Sequence, residues 1–152
     1  MRVQDPDKRS ETPSRSETPS SSNGPMETRR ILVVDDDDGI RVLLCRMLRD
    51  QEYNVYSTES VAGAGAALAE QSFDAFLLDY RLRDGSGFDI AKIVRQQGSN
   101  GPIILITGYN SEVIAADVKK FEIFQIIEKP FTRNTICSAL KTAFGQIKDA
   151  AS

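Results

Sequence analysis

The stretch Ile31-Leu32-Val33-Val34-Asp35-Asp36-Asp37 places an apolar run directly before three consecutive acids. An unbroken apolar run rich in β-branched residues is typical of a strand that is buried on both faces, as the strands of a parallel sheet are. Ionised carboxylates are costly to bury without partners, so we expect the strand to end at Asp35. The sequence therefore predicts a buried strand that presents acidic side chains at its carboxyl end.

Similar apolar runs predict four further strands, over residues 53–56, 73–78, 103–106 and 123–127. Apolar residues spaced three and four apart predict five helices between and after the strands, and glycines and charges predict a loop over residues 81–87. Strands that alternate with helices predict a doubly wound α/β fold with a parallel sheet and right-handed crossovers. In such sheets, ligands bind beyond the carboxyl ends of the strands.

Polar side chains follow four of the predicted strands. Asp35 and Asp36 follow the first strand, Asp79 the third, Thr107 the fourth and Lys129 the fifth. Three carboxylates at one sheet edge repel one another, and a lysine together with Mg²⁺ would balance their charge. A carboxylate can attack phosphorus, and a cation, an ammonium group and a hydroxyl can stabilise the transferring phosphoryl group. The sequence therefore predicts a phosphoryl-transfer site.

Composition excludes several other classes of protein. The 152 residues include 19 Lys and Arg, 22 Asp and Glu and no His, for a net charge of −3. Without His, the chain has no Ser-His-Asp triad, no zinc–histidine site and no phosphohistidine of its own. The charge argues against direct nucleic-acid binding, two distant cysteines do not form a disulfide framework, and no apolar run approaches the ~18 residues of a membrane span. We expect a cytoplasmic protein.

The composition changes near the N-terminus. Residues 1–27 are rich in Ser, Thr and Pro and poor in apolar residues, which predicts a disordered tail. Residues 28–150 form the predicted folded domain. The residues after Lys129 fit one helix and no DNA-binding domain, so we expect the output of this chain to be a protein–protein contact.

Five segments, taken together and in order, resemble the receiver domain of bacterial two-component response regulators. They are Ile31 to Asp37, Leu77-Leu78-Asp79, Asp84-Gly85-Ser86-Gly87, Ile106-Thr107-Gly108 and Lys129-Pro130-Phe131. The resemblance implies a flavodoxin-like (βα)5 fold with strand order 2-1-3-4-5. It also implies a phosphorylation-dependent signalling switch rather than an enzyme. Because only 23 residues follow Lys129, we expect a stand-alone receiver or a receiver cut from something larger.

The resemblance also implies a role for each site residue. Asp79 resembles the phosphoacceptor, and Thr107 and Lys129 resemble the pair that contacts the phosphoryl group. The Mg²⁺ ligands implied are Asp35, Asp36, Asp79 and the backbone carbonyl of Arg81. The implied donor is a histidine kinase or a His-phosphotransfer protein, and the implied docking surface for the target is formed by the fourth helix, fifth strand and fifth helix.

Two positions depart from the family pattern, and two alternatives stay open. Ile126 stands where many members have an aromatic residue, and Arg83 stands where many have proline, so we expect the loop after Asp79 to be less restrained than usual. The first alternative is a haloacid-dehalogenase-like phosphatase with Asp35 as nucleophile, but that family needs an acidic pair after Lys129, where Asp149 is the only acid. The second is an interaction domain that works without phosphorylation.

Overall fold

The structure, a computed structural model, describes residues 28–108 and 115–151, with side chains described as far as residue 145. The predicted tail and the first residues of the predicted fourth helix, Val113 and Ile114, lie outside the described residues. The elements, in chain order, are β1 (Arg30–Val34), α1 (Asp38–Asp50), β2 (Asn54–Thr58), α2 (Val61–Glu70), β3 (Ala75–Asp79), β4 (Arg81–Leu82), β5 (Gly85–Ser86), α3 (Gly87–Gln96), β6 (Ile103–Thr107), α4 (Ala115–Lys120), β7 (Gln125–Glu128) and α5 (Arg133–Ala151).

The main sheet has five parallel strands in the order β2-β1-β3-β6-β7. With the short strands β4 and β5 set aside, this is the predicted order 2-1-3-4-5, and the predicted fold class is confirmed. Each predicted strand is present, and its bounds differ from the prediction by two residues or fewer.

Successive residues of the buried strands supply two separate cores, one on each face of the sheet. In β1, Leu32 and Val34 face a core shared with α2 and α3, whereas Ile31 and Val33 face a core shared with α1 and α5. All four side chains are at most 1% exposed. Burial on both faces explains why these strands are continuously apolar instead of alternating. Polar residues are therefore confined to the strand ends.

The prediction of a loop over residues 81–87 is wrong, because most of this segment is a hairpin, which is followed by the start of a helix. β4 and β5 pair antiparallel, with Arg81 opposite Ser86 and Leu82 opposite Gly85, and α3 begins at Gly87. Leu82 is only 8% exposed, so its burial gives the hairpin an apolar anchor in the core. Hydrogen bonds of Asp84 and the burial of Leu82 hold this segment, and the expectation that it is less restrained than in other members of the family stays a prediction.

Helix α4 is short, and none of its six residues is buried. Its C-terminal end is held by two contacts with α3. The ring of Phe121 stacks on Phe88 with centroids 5.8 Å apart, and the guanidinium of Arg95 donates hydrogen bonds to the carbonyls of Phe121 and Glu122 at 3.0 and 2.9 Å. No helix within the described residues is long and apolar enough to cross a membrane.

Candidate functional site

The sheet brings four predicted site residues to its carboxyl edge. Asp79 ends β3 and Thr107 ends β6, while Asp35 directly follows β1 and Lys129 directly follows β7. The backbone N–H of Lys129 donates to the carbonyl of Thr107 at 2.8 Å, which continues the β6–β7 pairing one residue further. The predicted convergence of these residues is confirmed.

Three carboxylates form a cluster at this edge. One carboxylate oxygen each of Asp35, Asp36 and Asp79 lies within 4.8 Å of the others. Asp35 is 1% exposed and Asp79 is 6% exposed, while Asp36 is half-buried. Burial of this much negative charge requires a compensating cation.

Lys129 provides part of that compensation. Its Nζ lies 3.1 Å from Asp79 Oδ1, to which it donates a hydrogen bond, and 3.4 Å from Asp35 Oδ2. The Lys129–Pro130 peptide bond is cis. One ammonium group faces three carboxylates, so the site retains a net negative charge.

The electrostatics of the site follow from burial and crowding. Burial, followed by the charge of Asp35, raises the pKa of Asp79 to about 6, although Lys129 acts in the opposite direction. Burial also raises the pKa of Asp35. Burial alone would lower the pKa of Lys129, but the charges of Asp35 and Asp79 outweigh it and raise that pKa. The site thus disfavours full ionisation of its carboxyl groups and would gain from a further cation.

The second oxygen of Asp35 supports a metal site. Asp35 Oδ1 accepts a hydrogen bond from the backbone N–H of Asp37 at 2.8 Å, whereas the buried Asp35 Oδ2 accepts no hydrogen bond from the described residues and has only the ion pair with Lys129 Nζ at 3.4 Å. A buried carboxylate oxygen without a hydrogen bond is costly, and coordination to a cation would remove that cost. Hard oxygen donors in this number suit Mg²⁺, so the residues present fit the predicted cofactor.

Asp37 and Asp38 have structural roles at the start of α1. The side chain of Asp37 caps the helix by accepting from the N–H of Ile40 at 2.9 Å, and Asp38 lies in the first turn, where it pairs with Arg41. Arg41 also donates to the carbonyl of Asp35 at 2.7 Å. The helix start therefore fixes the backbone of the acidic pair.

The sequence did not assign a role to Asp84, at the turn between β4 and β5. Its carboxylate accepts hydrogen bonds from the N–H groups of Val61 and Ala62, at 2.8 and 3.0 Å, and these bonds lower the pKa of Asp84. The Asp84-Gly85 pair is a turn signal in the sequence. The first turn of α2, to which Asp84 is bonded, lies more than twenty residues earlier in the chain. No local sequence pattern therefore indicates this contact.

The family model for the response regulator receiver domain matches residues 31–141, and the chain therefore belongs to this family. Receiver domains are the phosphorylation-dependent switches of two-component signalling, not members of a catalytic enzyme family.

Similar proteins agree with this assignment. The chain is 33% identical to the response regulator protein PilR of Pseudomonas aeruginosa over 78% of this chain and 26% of that protein. It is 29% identical to the photosynthetic apparatus regulatory protein RegA of Rhodobacter capsulatus over 74% of this chain and 61% of that protein. The chain thus spans less than two thirds of the length of these relatives. The chemotaxis response regulator CheY4 of Vibrio cholerae has a similar structure, with a TM-score of 0.72 and 26% identity over 77% of this chain and 99% of that chain.

Proposed function

We propose that Asp79 is the phosphoacceptor of this receiver domain and that Thr107 and Lys129 contact the phosphoryl group. The observation that carries the proposal is the position of Asp79, with its carboxylate within 4.8 Å of two further carboxylates and 3.1 Å from Lys129 Nζ. A carboxylate beside both an ammonium group and further carboxylates that could bind a metal supports the role of a nucleophile in phosphoryl transfer.

The proposed step is an in-line phosphoryl transfer from a phosphohistidine on another protein. A carboxylate oxygen of Asp79 forms a bond to phosphorus, the phosphorus–nitrogen bond of the donor breaks, and the imidazole leaves with that electron pair. The ammonium of Lys129 and the hydroxyl of Thr107 then bind oxygens of the phosphoryl group. Hydrolysis of the aspartyl phosphate by water ends the signal, so the chain is at most a self-phosphorylating and self-dephosphorylating domain.

The proposed metal ligands are Asp35, Asp36, Asp79 and the backbone carbonyl of Arg81. Mg²⁺ held there would neutralise charge on the transferring phosphoryl group. The buried Oδ2 of Asp35, which accepts no hydrogen bond from the described residues, supports its part in this set. The carbonyl of Arg81 belongs to the β4–β5 hairpin, two residues after Asp79.

The proposed donor is a histidine kinase or a His-phosphotransfer protein, because the chain itself has no His. The proposed docking surface for the target is the face formed by α4, β7 and α5. A polar groove of about 250 Å³ on this face is lined by residues of β7 and α5, among them Gln125, Asn134 and Ser138. We place this exchange in the cytoplasm and propose no direct contact with nucleic acid or membrane.

Incubation of the full chain with acetyl phosphate or phosphoramidate and Mg²⁺, followed by intact mass measurement, tests the proposal. We expect one added phosphoryl group on the parent chain and none on Asp79→Asn. Full labelling of Asp79→Asn would overturn the assignment of Asp79. Labelling that depends on Asp35 and persists without Asp79 would instead support the haloacid-dehalogenase-like phosphatase. The family match does not favour that alternative. An unlabelled parent chain would favour an interaction domain that works without phosphorylation.

A further inference from the structure

The hairpin that follows Asp79 is attached to the molecule at both ends. At its base, Gly87 donates its N–H to the carbonyl of Tyr80 at 2.9 Å, and a Cβ atom at Gly87 would lie 2.7 Å from the carbonyl oxygen of Asp79. This close approach requires glycine. At its tip, the carboxylate of Asp84 accepts hydrogen bonds from the N–H groups of Val61 and Ala62. The hairpin thus spans the distance between the acceptor strand and helix α2.

The hairpin geometry directs the carbonyl of Arg81. Successive pairs of an antiparallel ladder alternate between pairs that exchange hydrogen bonds and pairs whose backbone groups point outward. Tyr80 and Gly87 are joined by a hydrogen bond, so at the next pair, Arg81 opposite Ser86, the carbonyl of Arg81 is directed away from β5. The orientation of this carbonyl therefore depends on the orientation of the whole hairpin.

The contact made by Asp84 is long-range and specific. It satisfies two N–H groups of the first turn of α2, while Ser60, the N-cap residue, accepts the N–H of Gly63 at 2.9 Å. A carboxylate at a helix N-terminus is stabilised both by these hydrogen bonds and by the helix dipole. Two hydrogen bonds to one carboxylate fix the direction of the hairpin as well as its distance from α2.

We propose that Asp84 is a positioning residue for metal binding: it holds the β4–β5 hairpin against α2 so that the carbonyl of Arg81 faces the acidic cluster. This inference rests on the proposed Mg²⁺ ligands and adds a residue that touches neither the metal nor the phosphoryl group. Asp84 lies in the turn next to Arg83, and its bonds to Val61 and Ala62 attach this turn to α2.

Metal binding and the Asp84 contact should be thermodynamically coupled. If the Asp84 contact favours the hairpin orientation that binds Mg²⁺, then Mg²⁺ binding must favour the Asp84 contact by the same factor. Mg²⁺ should therefore slow amide exchange at Val61 and Ala62, which carry no metal ligand. With a purely structural role for Asp84, Mg²⁺ would slow exchange at these two amides only as much as it stabilises the whole fold.

Isothermal titration of the full chain with MgCl₂, without a phosphodonor, is the primary test. We expect Asp84→Ala to raise the Kd for Mg²⁺ about tenfold, as loss of a supporting contact does at other metal sites. Asp84→Asn, which keeps one acceptor oxygen, should give an intermediate Kd. The matched control is Ser60→Ala, which removes a different hydrogen bond from the same helix end; it should lower the melting temperature and leave the Kd unchanged.

The outcomes separate this inference from the proposed function. Tight Mg²⁺ binding by the parent chain together with unchanged Kd values for Asp84→Ala and Asp84→Asn would overturn the role of Asp84 and leave the proposed function standing. An equal rise in Kd for Ser60→Ala would also overturn it, because the effect would then belong to α2 stability in general. A parent chain that binds no Mg²⁺ would overturn both proposals. If Asp84→Ala fails to fold, Asp84→Asn and the exchange measurement on the parent decide.

Discussion

Lys129 and Asp79 form an ion pair at 3.1 Å across the carboxyl edge of the sheet. The two residues are brought together by β3 and β7, which are separated in the sheet by β6. The proposed phosphoryl group would enter between them, so the lysine must exchange a carboxylate oxygen for a phosphoryl oxygen when the switch operates. With Asp79 proposed as the phosphoacceptor, we expect phosphorylation to replace this ion pair.

Lys129→Met tests the electrostatic part of this arrangement. Removal of the ammonium leaves the buried carboxylates uncompensated, so we expect a loss of about 1–3 kcal/mol in the free energy of unfolding at pH 7 without metal. The loss should shrink at pH 5, where Asp79 takes up a proton because its pKa is raised to about 6. Urea titrations of Lys129→Met and the parent chain at the two pH values measure this loss in the free energy of unfolding. Equal losses at both pH values would show that the effect comes from packing.

Asp36→Ala tests the metal cluster. Mg²⁺ at 100 times its Kd stabilises a folded protein by about 2.7 kcal/mol, so the parent chain should melt at a higher temperature in its presence. Asp36→Ala should relieve repulsion, raise the melting temperature of the metal-free chain and abolish the Mg²⁺ effect.

Asp38→Ala is the matched control for this metal experiment, because Asp38 pairs with Arg41 and lies outside the three-carboxylate cluster. It should keep the full response to Mg²⁺. A response that survives in Asp36→Ala would remove Asp36 from the ligand set.

The raised pKa of Asp79 predicts how stability depends on pH in the absence of metal. The group has a pKa near 3.9 in an unfolded chain and about 6 in the fold, so between these values the folded state binds more protons. Stability should therefore fall as pH rises through this interval, by about 3 kcal/mol from Asp79. Asp79→Asn should be more stable than the parent chain at pH 7, and the difference should narrow toward pH 4. Parallel stability curves for the two proteins would contradict this.

The fold and the core of the site were predictable because they depend on local patterns. The run from Ile31 to Val34 is buried on both faces, and a strand of that kind can carry Asp35 only at its end. The β4–β5 hairpin was missed: Asp84-Gly85 signals a turn, but strands of two residues show no alternating pattern, and Leu82 is buried against elements distant in sequence. The bond between Asp84 and α2 joins segments far apart in sequence, and only the assembled fold brings them together.

The position of α4 is the expected readout of phosphorylation. Ile126 carries no ring that could rotate with Thr107, so the change should involve helix position instead. A ring contact of 5.7 Å joins Tyr80, next to the acceptor, to Phe88, which stacks on Phe121 at the end of α4. Beryllofluoride, a phosphoryl mimic, should change amide exchange over residues 109–118, of which 109–114 lie outside the described residues. Changes confined to α1 and α2 would contradict the proposed output face.

Thr107→Ala should separate phosphorylation from this response. Thr107 is fully buried at the end of β6, where its hydroxyl is proposed to bind the phosphoryl group. A shift of the switch from 1:99 to 99:1 requires about 5.5 kcal/mol, and two or three charge-assisted hydrogen bonds at about 1.5–3 kcal/mol each can supply it. Loss of one such bond leaves the nucleophile and the metal ligands in place. We therefore expect acetyl phosphate to label Thr107→Ala, while beryllofluoride changes amide exchange in α4 less than it does in the parent chain. Thr107→Ser, which keeps the hydroxyl, should restore the exchange response. If Thr107→Ala retained the full response, the signal would have to pass through Lys129 alone.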